Sequence, residues 1–225
     1  MNASGGIAGG DRLETAVTLQ GNASLAVTTQ AAEKVYRALS DPAHVATRLN
    51  VSEGARLAWL PQETILFQQA RLRRETQIQL VSGAEMLALE WLVLGRAAHG
   101  EELRGGYIDD SWRVTIDGRL AWADTFRATD ETFPHLHRKA LLGDAKAIAT
   151  MVWFGAHPAS RLDMLRSMAS QIACEFGTTS VGGLVIARFA ANRSADLRAA
   201  LQILLQHFAQ EFGQGPLRVP KMWSC

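Results

Sequence analysis

Two carboxylates in this sequence stand where an ionised group is hard to solvate. Asp11 directly follows the glycine-rich run at residues 5–10, and Glu63 lies inside the apolar stretch at residues 59–67. An enclosed charge is costly unless hydrogen bonds or an opposite charge satisfy it. The two residues therefore indicate a polar interior. For Glu63 the functional interpretation is a hard oxygen ligand on a passage for a cation.

Each carboxylate also has a structural interpretation. Asp11 can cap the glycine turn instead of facing an internal cavity, and Glu63 can be bonded by backbone N–H groups or by an arginine such as Arg71. Glu90, within the apolar residues 87–92, has the same two interpretations. If the segments that carry Glu63 and Glu90 stack on one another, the two side chains are expected to lie close together.

The remaining motifs do not complete a reactive site. No lysine followed by serine or threonine turns the glycine run into a phosphate loop, so it is better explained as a tight β-connection. His135 and His137 have the spacing of half a metal site, but their neighbours indicate an exposed loop and no third ligand stands at a diagnostic spacing. The G-x-S-x-G, H-E-x-x-H and C-x-x-C motifs are absent, so the sequence does not indicate an enzyme.

The composition is that of an ordinary folded protein. The chain has 225 residues, 48% of them apolar, and a formal net charge of +1. This length buries a sizeable core without disulfides, and the small net charge provides no field for nucleic acid or an anionic membrane. No apolar run approaches the roughly 20 residues of a membrane span, and no secretory signal is recognisable. The two cysteines, Cys174 and Cys225, favour a reducing compartment, the cytoplasm.

Repeated segments predict a stacked β-structure in the first part of the chain. Residues 19–25, 51–57 and 80–86 each consist of an apolar residue, a turn with glycine and a second apolar run. Their last residues, Leu25, Leu57 and Met86, recur at the spacing of stacked supersecondary units. We therefore expect coiled or stacked β-layers over residues 5–130, with a hairpin at Asp117-Gly118, a dipeptide that favours tight β-turns.

The hydrophobic period changes after residue 130. Apolar residues recur at helical spacing over residues 158–172 and again over residues 194–212, and residues 181–189 between them read as a strand. No change of composition marks a linker. The sequence thus predicts one domain over residues 1–225: a mainly β, stacked or helically coiled sheet body at 5–130 and a mixed strand and helix part at 131–225, with two α-helices in the C-terminal half.

Four motifs, in order along the chain, resemble one family. They are Gly-Gly-Ile-Ala-Gly-Gly-Asp-Arg-Leu at 5–13, Thr-Thr-Gln-Ala-Ala-Glu-Lys-Val-Tyr-Arg at 28–37, Trp-Leu-Pro-Gln-Glu-Thr-Ile-Leu-Phe at 59–67, and Pro-Lys-Met-Trp at 220–223. Together they are similar to the urease accessory proteins UreD, also called UreH. Members of that family usually carry a further N-terminal stretch that forms strands before the glycine motif, so this sequence is expected to be N-terminally shortened.

The resemblance implies a non-enzymatic chaperone with a helically coiled β-fold. Family members join UreF and the GTPase UreG on the urease apoprotein, receive nickel indirectly from the carrier UreE, and are thought to pass it through a water-filled tunnel. The implied metal is transient Ni²⁺ with no tightly bound cofactor, and the implied ligands are Asp11 and Glu63, with Glu33 and Glu90 as further candidates. The tail residues Arg218, Met222 and Trp223 are expected to dock a partner, because an exposed tryptophan can anchor an interface.

Two other classes of function stay open. The paired carboxylates could perform acid and base catalysis in a stacked-β enzyme. Alternatively the chain could be a passive protein-binding module without any role in handling metal.

Overall fold

The computed structural model describes residues 5–96, 99–211 and 220–224, without the side chains of residues 209–211, 222 and 224. Within these residues two β-sheets face each other, and two α-helices follow late in the chain. The described part of the chain is therefore mainly β, as predicted. Neither of its helices is both long and apolar enough to cross a membrane.

The first sheet has five strands in the spatial order β1-β4-β7-β10-β11. Their bounds are β1 Arg12–Leu19, β4 Ala43–Val51, β7 Arg71–Leu80, β10 Tyr107–Ile116 and β11 Arg119–Thr129. The first four run parallel to one another, and β11 returns antiparallel to β10.

The second sheet has nine strands among the described residues, with β8 near its centre. Their bounds are β2 Ser24–Val27, β3 Glu33–Val35, β5 Arg56–Trp59, β6 Thr64–Leu66, β8 Glu85–Arg96, β9 Glu101–Glu102, β12 Ala147–Phe154, β13 Glu175–Val181 and β14 Leu184–Ala191. Strands β5 and β6 both pair in parallel with the long β8, and a short connection at residues 60–63 separates them.

The chain passes from one sheet to the other once in each coil, so the predicted repeats become stacked layers. Leu25 pairs in register with Leu57, and Leu57 pairs with Met86. These are the residues that recur at the ends of the three repeated segments, so that prediction is confirmed at the level of strand register. The stacking follows because the strands of each coil pair in parallel with those of the coil before it and extend the same apolar interior.

Two glycine-containing turns close hairpins. Asp117 and Gly118 have positive φ values of 49° and 76°, which is the tight turn predicted between β10 and β11. Gly182 and Gly183 have φ values of 57° and 81° and form the turn between β13 and β14. The strand predicted over residues 181–189 is therefore wrong in extent, because its second and third residues are this turn.

The two helices are α1 Pro158–Ser167 and α2 Ser194–Glu211. The helix predicted over residues 158–172 is shorter than expected: α1 ends at Ser167, and a single 3₁₀ turn follows at Ala169–Gln171. Apolar residues of α2 such as Leu201 and Phe208 pack on the outer face of the second sheet, against Trp91 and its neighbours. Phe212, the predicted last residue of that helix, lies outside the described residues.

The space between the sheets contains two separate apolar clusters. One includes Leu72, Leu92 and Ile108, and the other includes Ile78, Ala88 and Val114. In β7, β8 and β10 the inward-facing residues of one cluster lie toward one end of the strand and those of the other cluster toward the opposite end. The inward-facing positions between the two clusters are not apolar. Polar residues occupy that level.

Candidate functional site

A layer of polar side chains crosses the space between the sheets at the level that separates the two apolar clusters. Its members, called the polar layer below, are Glu33, Thr64, Arg74, Thr76, Glu90 and Asp110. Thr64, Arg74, Thr76, Glu90 and Asp110 are buried and Glu33 is half-buried. Buried ionisable side chains are rare unless they are paired, so the layer is the most unusual chemical feature of the interior.

Strict alternation along the strands points these side chains inward. In β7 every second residue from Leu72 to Leu80 is buried, and Arg74 and Thr76 occupy two of those positions. Asp110 pairs in register with Arg74 on the neighbouring strand β10. Glu90 comes from β8 on the facing sheet, so the layer joins both sheets.

The guanidinium of Arg74 bridges the two sheets. Its Nε and Nη2 atoms donate to Asp110 Oδ1 and Oδ2 at 2.9 and 2.7 Å. Its Nη1 atom donates to the hydroxyl of Thr64 at 3.2 Å, and Nε also lies 2.9 Å from Glu90 Oε2. This two-point geometry is the strong form of an arginine–carboxylate pair.

Glu90 accepts hydrogen bonds from the described residues through one of its two carboxylate oxygens. Its Oε1 atom accepts hydrogen bonds from the hydroxyl of Thr76 at 2.9 Å and from the indole N–H of Trp59 at 3.1 Å. Its Oε2 atom has the ion-pair contact with Arg74 but no hydrogen bond within the described residues. The hydrogen on Arg74 Nε is directed to Asp110, so Glu90 Oε2 is held by the charge of Arg74 without a hydrogen bond from the described residues.

The polar layer has more negative than positive groups. Burial raises the pKa of Glu90, the charge of Asp110 raises it further, and Arg74 opposes both effects. Burial also raises the pKa of Glu33, again opposed by Arg74. For Arg74 itself burial acts to lower the pKa, but the charges of Asp110 and Glu90 outweigh it and raise the pKa above the usual value. One guanidinium faces three carboxyl groups, so the layer favours uptake of a proton or of a cation.

A small cavity extends the polar layer toward the other edge of the sheets. It has a volume of about 30 Å³ and is lined by Arg74, Glu90 and Asp110, and further along by Thr150 and Asp124. This is about the volume of one water molecule in the liquid. Asp124 is paired with Arg188 at 2.5 Å and is partly exposed. Polar groups thus run from the half-buried Glu33, through the interior, to a partly exposed carboxylate.

Two of the acids singled out from the sequence lie outside the polar layer. Asp11 is exposed, and its Oδ2 atom accepts the backbone N–H of Ala8 at 2.8 Å, which is the turn-capping arrangement. Glu63 is half-buried and pairs with Arg198 of α2 at 2.5 Å. The arginine suggested as its partner, Arg71, pairs with Asp130 instead.

The other two acids singled out, Glu33 and Glu90, both belong to the polar layer. Glu63 and Glu90 were expected to lie close together, but Glu63 is bonded by α2 outside the second sheet whereas Glu90 faces between the sheets. The sequence reasoning missed Asp110. The signal was present, because alternation in β10 places Asp110 on the same face as the apolar Ile108 and Trp112.

No group of three or more His, Cys, Asp or Glu side chains is arranged to hold a metal ion in the described residues. His135 lies in a 3₁₀ turn, Phe133–His135, and not in a strand. The carboxyl groups that line the small interior cavity are those of Glu90, Asp110 and Asp124. That Asp11, Glu63, Glu33 or Glu90 binds nickel stays a prediction.

The tail residue Trp223 is buried inside this chain, not exposed as its proposed partner-binding role requires. Its indole stacks on Trp91 at 5.9 Å between ring centroids, and its Nε1 atom donates to the carbonyl of Leu60 at 3.0 Å. The guanidinium of Arg198 lies over both indole rings. Arg218 and the side chain of Met222 lie outside what the structure describes, so partner binding by the tail stays a prediction.

A stacked-coil β-protein with a buried layer of ionisable side chains is the class that the fold and the site define. The family model described as UreD urease accessory protein matches residues 1–224 of this chain. The chain therefore belongs to the UreD urease accessory protein family.

Individual relatives agree with the family match. A protein named urease accessory protein UreD from Methylobacterium sp. (strain 4-46) is 40% identical over 100% of this chain and 79% of its own length. Proteins of the same name from Rhodopseudomonas palustris (strain HaA2) and Granulibacter bethesdensis are 39% and 38% identical over 99% of this chain, which covers 77% and 92% of their lengths. The similarity thus extends over almost the whole of this chain and over about three quarters or more of each relative.

Proposed function

We propose that this chain acts in urease maturation as a non-catalytic scaffold that passes nickel to the urease apoprotein. The proposed complex contains UreF and UreG, with UreE as the indirect source of nickel, and the proposed compartment is the cytoplasm. Membership of the UreD family supports the role in maturation. The observation that carries the nickel route is the excess of carboxyl groups in the polar layer, beside a cavity that leads toward Asp124.

The polar layer suits a cation that must move on. Carboxylate oxygens are hard ligands that hold a divalent transition metal less tightly than thiolates would. In this proposal Ni²⁺ contacts the Oε2 atom of Glu90, which accepts no hydrogen bond from the described residues, and displaces the proton that burial favours there. Arg74 keeps Asp110 engaged in two hydrogen bonds and its charge repels the ion, so the layer does not become a closed, high-affinity site.

The test is nickel loading of urease by purified components. Urease apoprotein is incubated with UreF, UreG, GTP, bicarbonate, Ni²⁺ and this chain, carrying Glu90→Gln or Asp110→Asn. Both variants are expected to assemble with the partners and to give urease with a reduced nickel content. The matched control is Glu75→Gln, which removes an exposed carboxylate from the outer face of β7, next to Arg74.

The alternatives give different outcomes in the same experiment. Full nickel content with both interior variants, together with intact assembly, would leave only a passive binding module. An enzyme with paired carboxylates would instead turn over a substrate without any partner, and Glu90→Gln would abolish that turnover. Full nickel content in both interior variants would reject the nickel route. Substrate turnover that depends on Glu90 would reject the non-catalytic role.

A further inference from the structure

A second cavity lies on the outer face of the second sheet, away from the polar layer. It has a volume of about 500 Å³, and Ile65, Phe67, Val93 and Leu94 form its apolar part. Lys34, Ile65 and Val93 stand in register on neighbouring strands, so they form one row across the sheet. Lys34 follows Glu33 in β3 and therefore points to the opposite face from that member of the polar layer.

Every charged residue that lines this cavity is basic or a histidine. They are Lys34, Arg96, His99, Lys146 and Arg193, and we call the cavity the basic pocket. They come from separate parts of the fold: β3, the end of β8, the segments before β9 and β12, and the junction of β14 and α2. Arg96 and Lys146 are paired with Glu101 and Glu102, so Lys34 and Arg193 provide the positive charge beside the apolar floor that is least balanced by carboxylates.

One wall of the basic pocket is fixed by internal contacts. The guanidinium of Arg96 lies over the ring of Phe67 at 4.0 Å. It also donates to both oxygens of Glu101, at 3.1 and 2.6 Å. Phe67 in turn packs against Tyr36 in an edge-to-face arrangement at 5.2 Å. This wall is preorganised, which lowers the entropic cost of binding.

The opposite wall carries cations that are weakly engaged. Lys34 is exposed and makes no ion pair with any residue that the structure describes. Arg193 is exposed, and its closest carboxylate oxygen, that of Asp196, is 3.9 Å away. The first turn of α2, with Ser194 and Ala195, also lines the pocket. The N–H groups at such a helix start lack acceptors within the helix and add positive potential.

We infer that the basic pocket docks an acidic segment of a partner protein, with carboxylates toward Lys34 and Arg193 and an apolar side chain on Ile65 and Val93. Several separate cations around an apolar floor complement a segment with several separated carboxylates better than one small anion. Complementary charge of this kind directs association and sets which partner binds. The inference rests on the proposed function, because a delivery scaffold has to bind the proteins between which it acts.

The experiment reverses the charges of Lys34, which points to the opposite face of the sheet from the polar layer, and of Arg193, at the start of α2. The full chain with Lys34→Glu and Arg193→Glu is compared with wild type for binding to purified urease apoprotein and, separately, to purified UreF. We expect the Kd for one of these two partners to rise at least about tenfold at low salt. Raising the ionic strength should weaken wild type more than the variant, because added ions screen the attraction that the variant has lost.

The matched control is Arg119→Glu with Lys139→Glu, the same change of charge at two exposed residues outside the pocket. Unchanged affinity of the pocket variant for both partners overturns the inference. So does saturable binding of inorganic phosphate or pyrophosphate that the pocket variant abolishes while both partner affinities stay unchanged, since that marks a site for small anions. In either case nickel loading by wild type and its loss in Glu90→Gln still report separately on the proposed function.

Discussion

The guanidinium of Arg74 on β7 holds the carboxylate of Asp110 on β10 through two hydrogen bonds of 2.9 and 2.7 Å. Both residues are buried, and their strands are neighbours in the first sheet. The same guanidinium contacts Glu90 on the facing sheet. Arg74 is therefore the counter-charge on which the polar layer depends.

Replacing Arg74 with methionine should destabilise the protein strongly. The variant leaves Glu90 and Asp110 buried without their cation, a loss worth about 3–5 kcal/mol for a buried ion pair broken on one side. The triple variant Arg74→Met, Glu90→Gln, Asp110→Asn should recover much of that loss, since no unpaired charge remains. Urea unfolding followed by circular dichroism measures both free energies. Equal stability of the single and triple variants would show that the loss in Arg74→Met does not come from the unpaired charges of Glu90 and Asp110.

The contribution of Glu90 to stability should depend on pH in a defined direction. Because its pKa in the folded protein is raised by burial, the stability associated with protonated Glu90 is fully present below the usual pKa of 4.5. It is lost as the pH rises through the folded-state pKa. As the pH rises from 4.5 through the folded-state pKa of Glu90, the unfolding free energy of wild type should therefore fall relative to that of Glu90→Gln. Urea titrations at several pH values measure it, and a difference that does not change with pH would contradict the raised pKa.

Trp223→Ala should loosen the contact between the tail and the body. The side chain is fully buried, stacks on Trp91 and donates to the carbonyl of Leu60. Truncating a buried tryptophan costs about 3–5 kcal/mol. The half-buried Trp122, which packs beside Trp112, serves as the control and should cost less when changed to alanine. Comparable losses for the two variants, measured by urea unfolding, would mean that Trp223 is not inserted as described.

Gly106→Ala should destabilise the protein more than Gly118→Ala. Both glycines have positive φ, 131° and 76°. Alanine at Gly118 is strained by about 1–2 kcal/mol as a left-handed residue, whereas the φ of Gly106 lies further from the conformations that alanine adopts. A Cβ at Gly106 would also lie 2.2 Å from the backbone oxygen of Ala70, whereas a Cβ at Gly118 meets nothing within 4 Å. Thermal unfolding of the two variants measures the combined effect of strain and clash at Gly106, and equal losses would argue against the close approach there.

The stacked coils could be predicted from the sequence because equivalent residues of successive repeats pair with one another. Leu25, Leu57 and Met86 end three similar segments, and they pair with one another in the second sheet. The Asp117-Gly118 hairpin was equally local, since the dipeptide determines the turn. The Gly182-Gly183 hairpin is harder to predict, because the strand before the turn, Glu175–Val181, is mostly polar and exposed and has no apolar run.

The site was only partly accessible to sequence reasoning because it depends on contacts between distant residues. Glu90 stands out as an acid in an apolar run, but its role follows from Arg74, which no local pattern connects to it. Glu63 has a similar apolar context, yet its partner Arg198 comes from a helix 135 residues further along the chain. An apolar neighbourhood therefore identifies buried carboxylates without telling which side of a sheet they occupy.

The central position of β8 has a consequence for how the chain folds during synthesis. Its parallel partners β5 and β6 precede it in the chain, whereas its antiparallel partner β12 follows it. The early coils can thus assemble one after another as they leave the ribosome. The outer face of β8, with Trp91, is covered only after α2 and Trp223 have been synthesised. Until α2 and Trp223 pack on it, that face of β8 is an exposed apolar surface. The partly synthesised chain is therefore prone to aggregate, which chaperone binding would prevent.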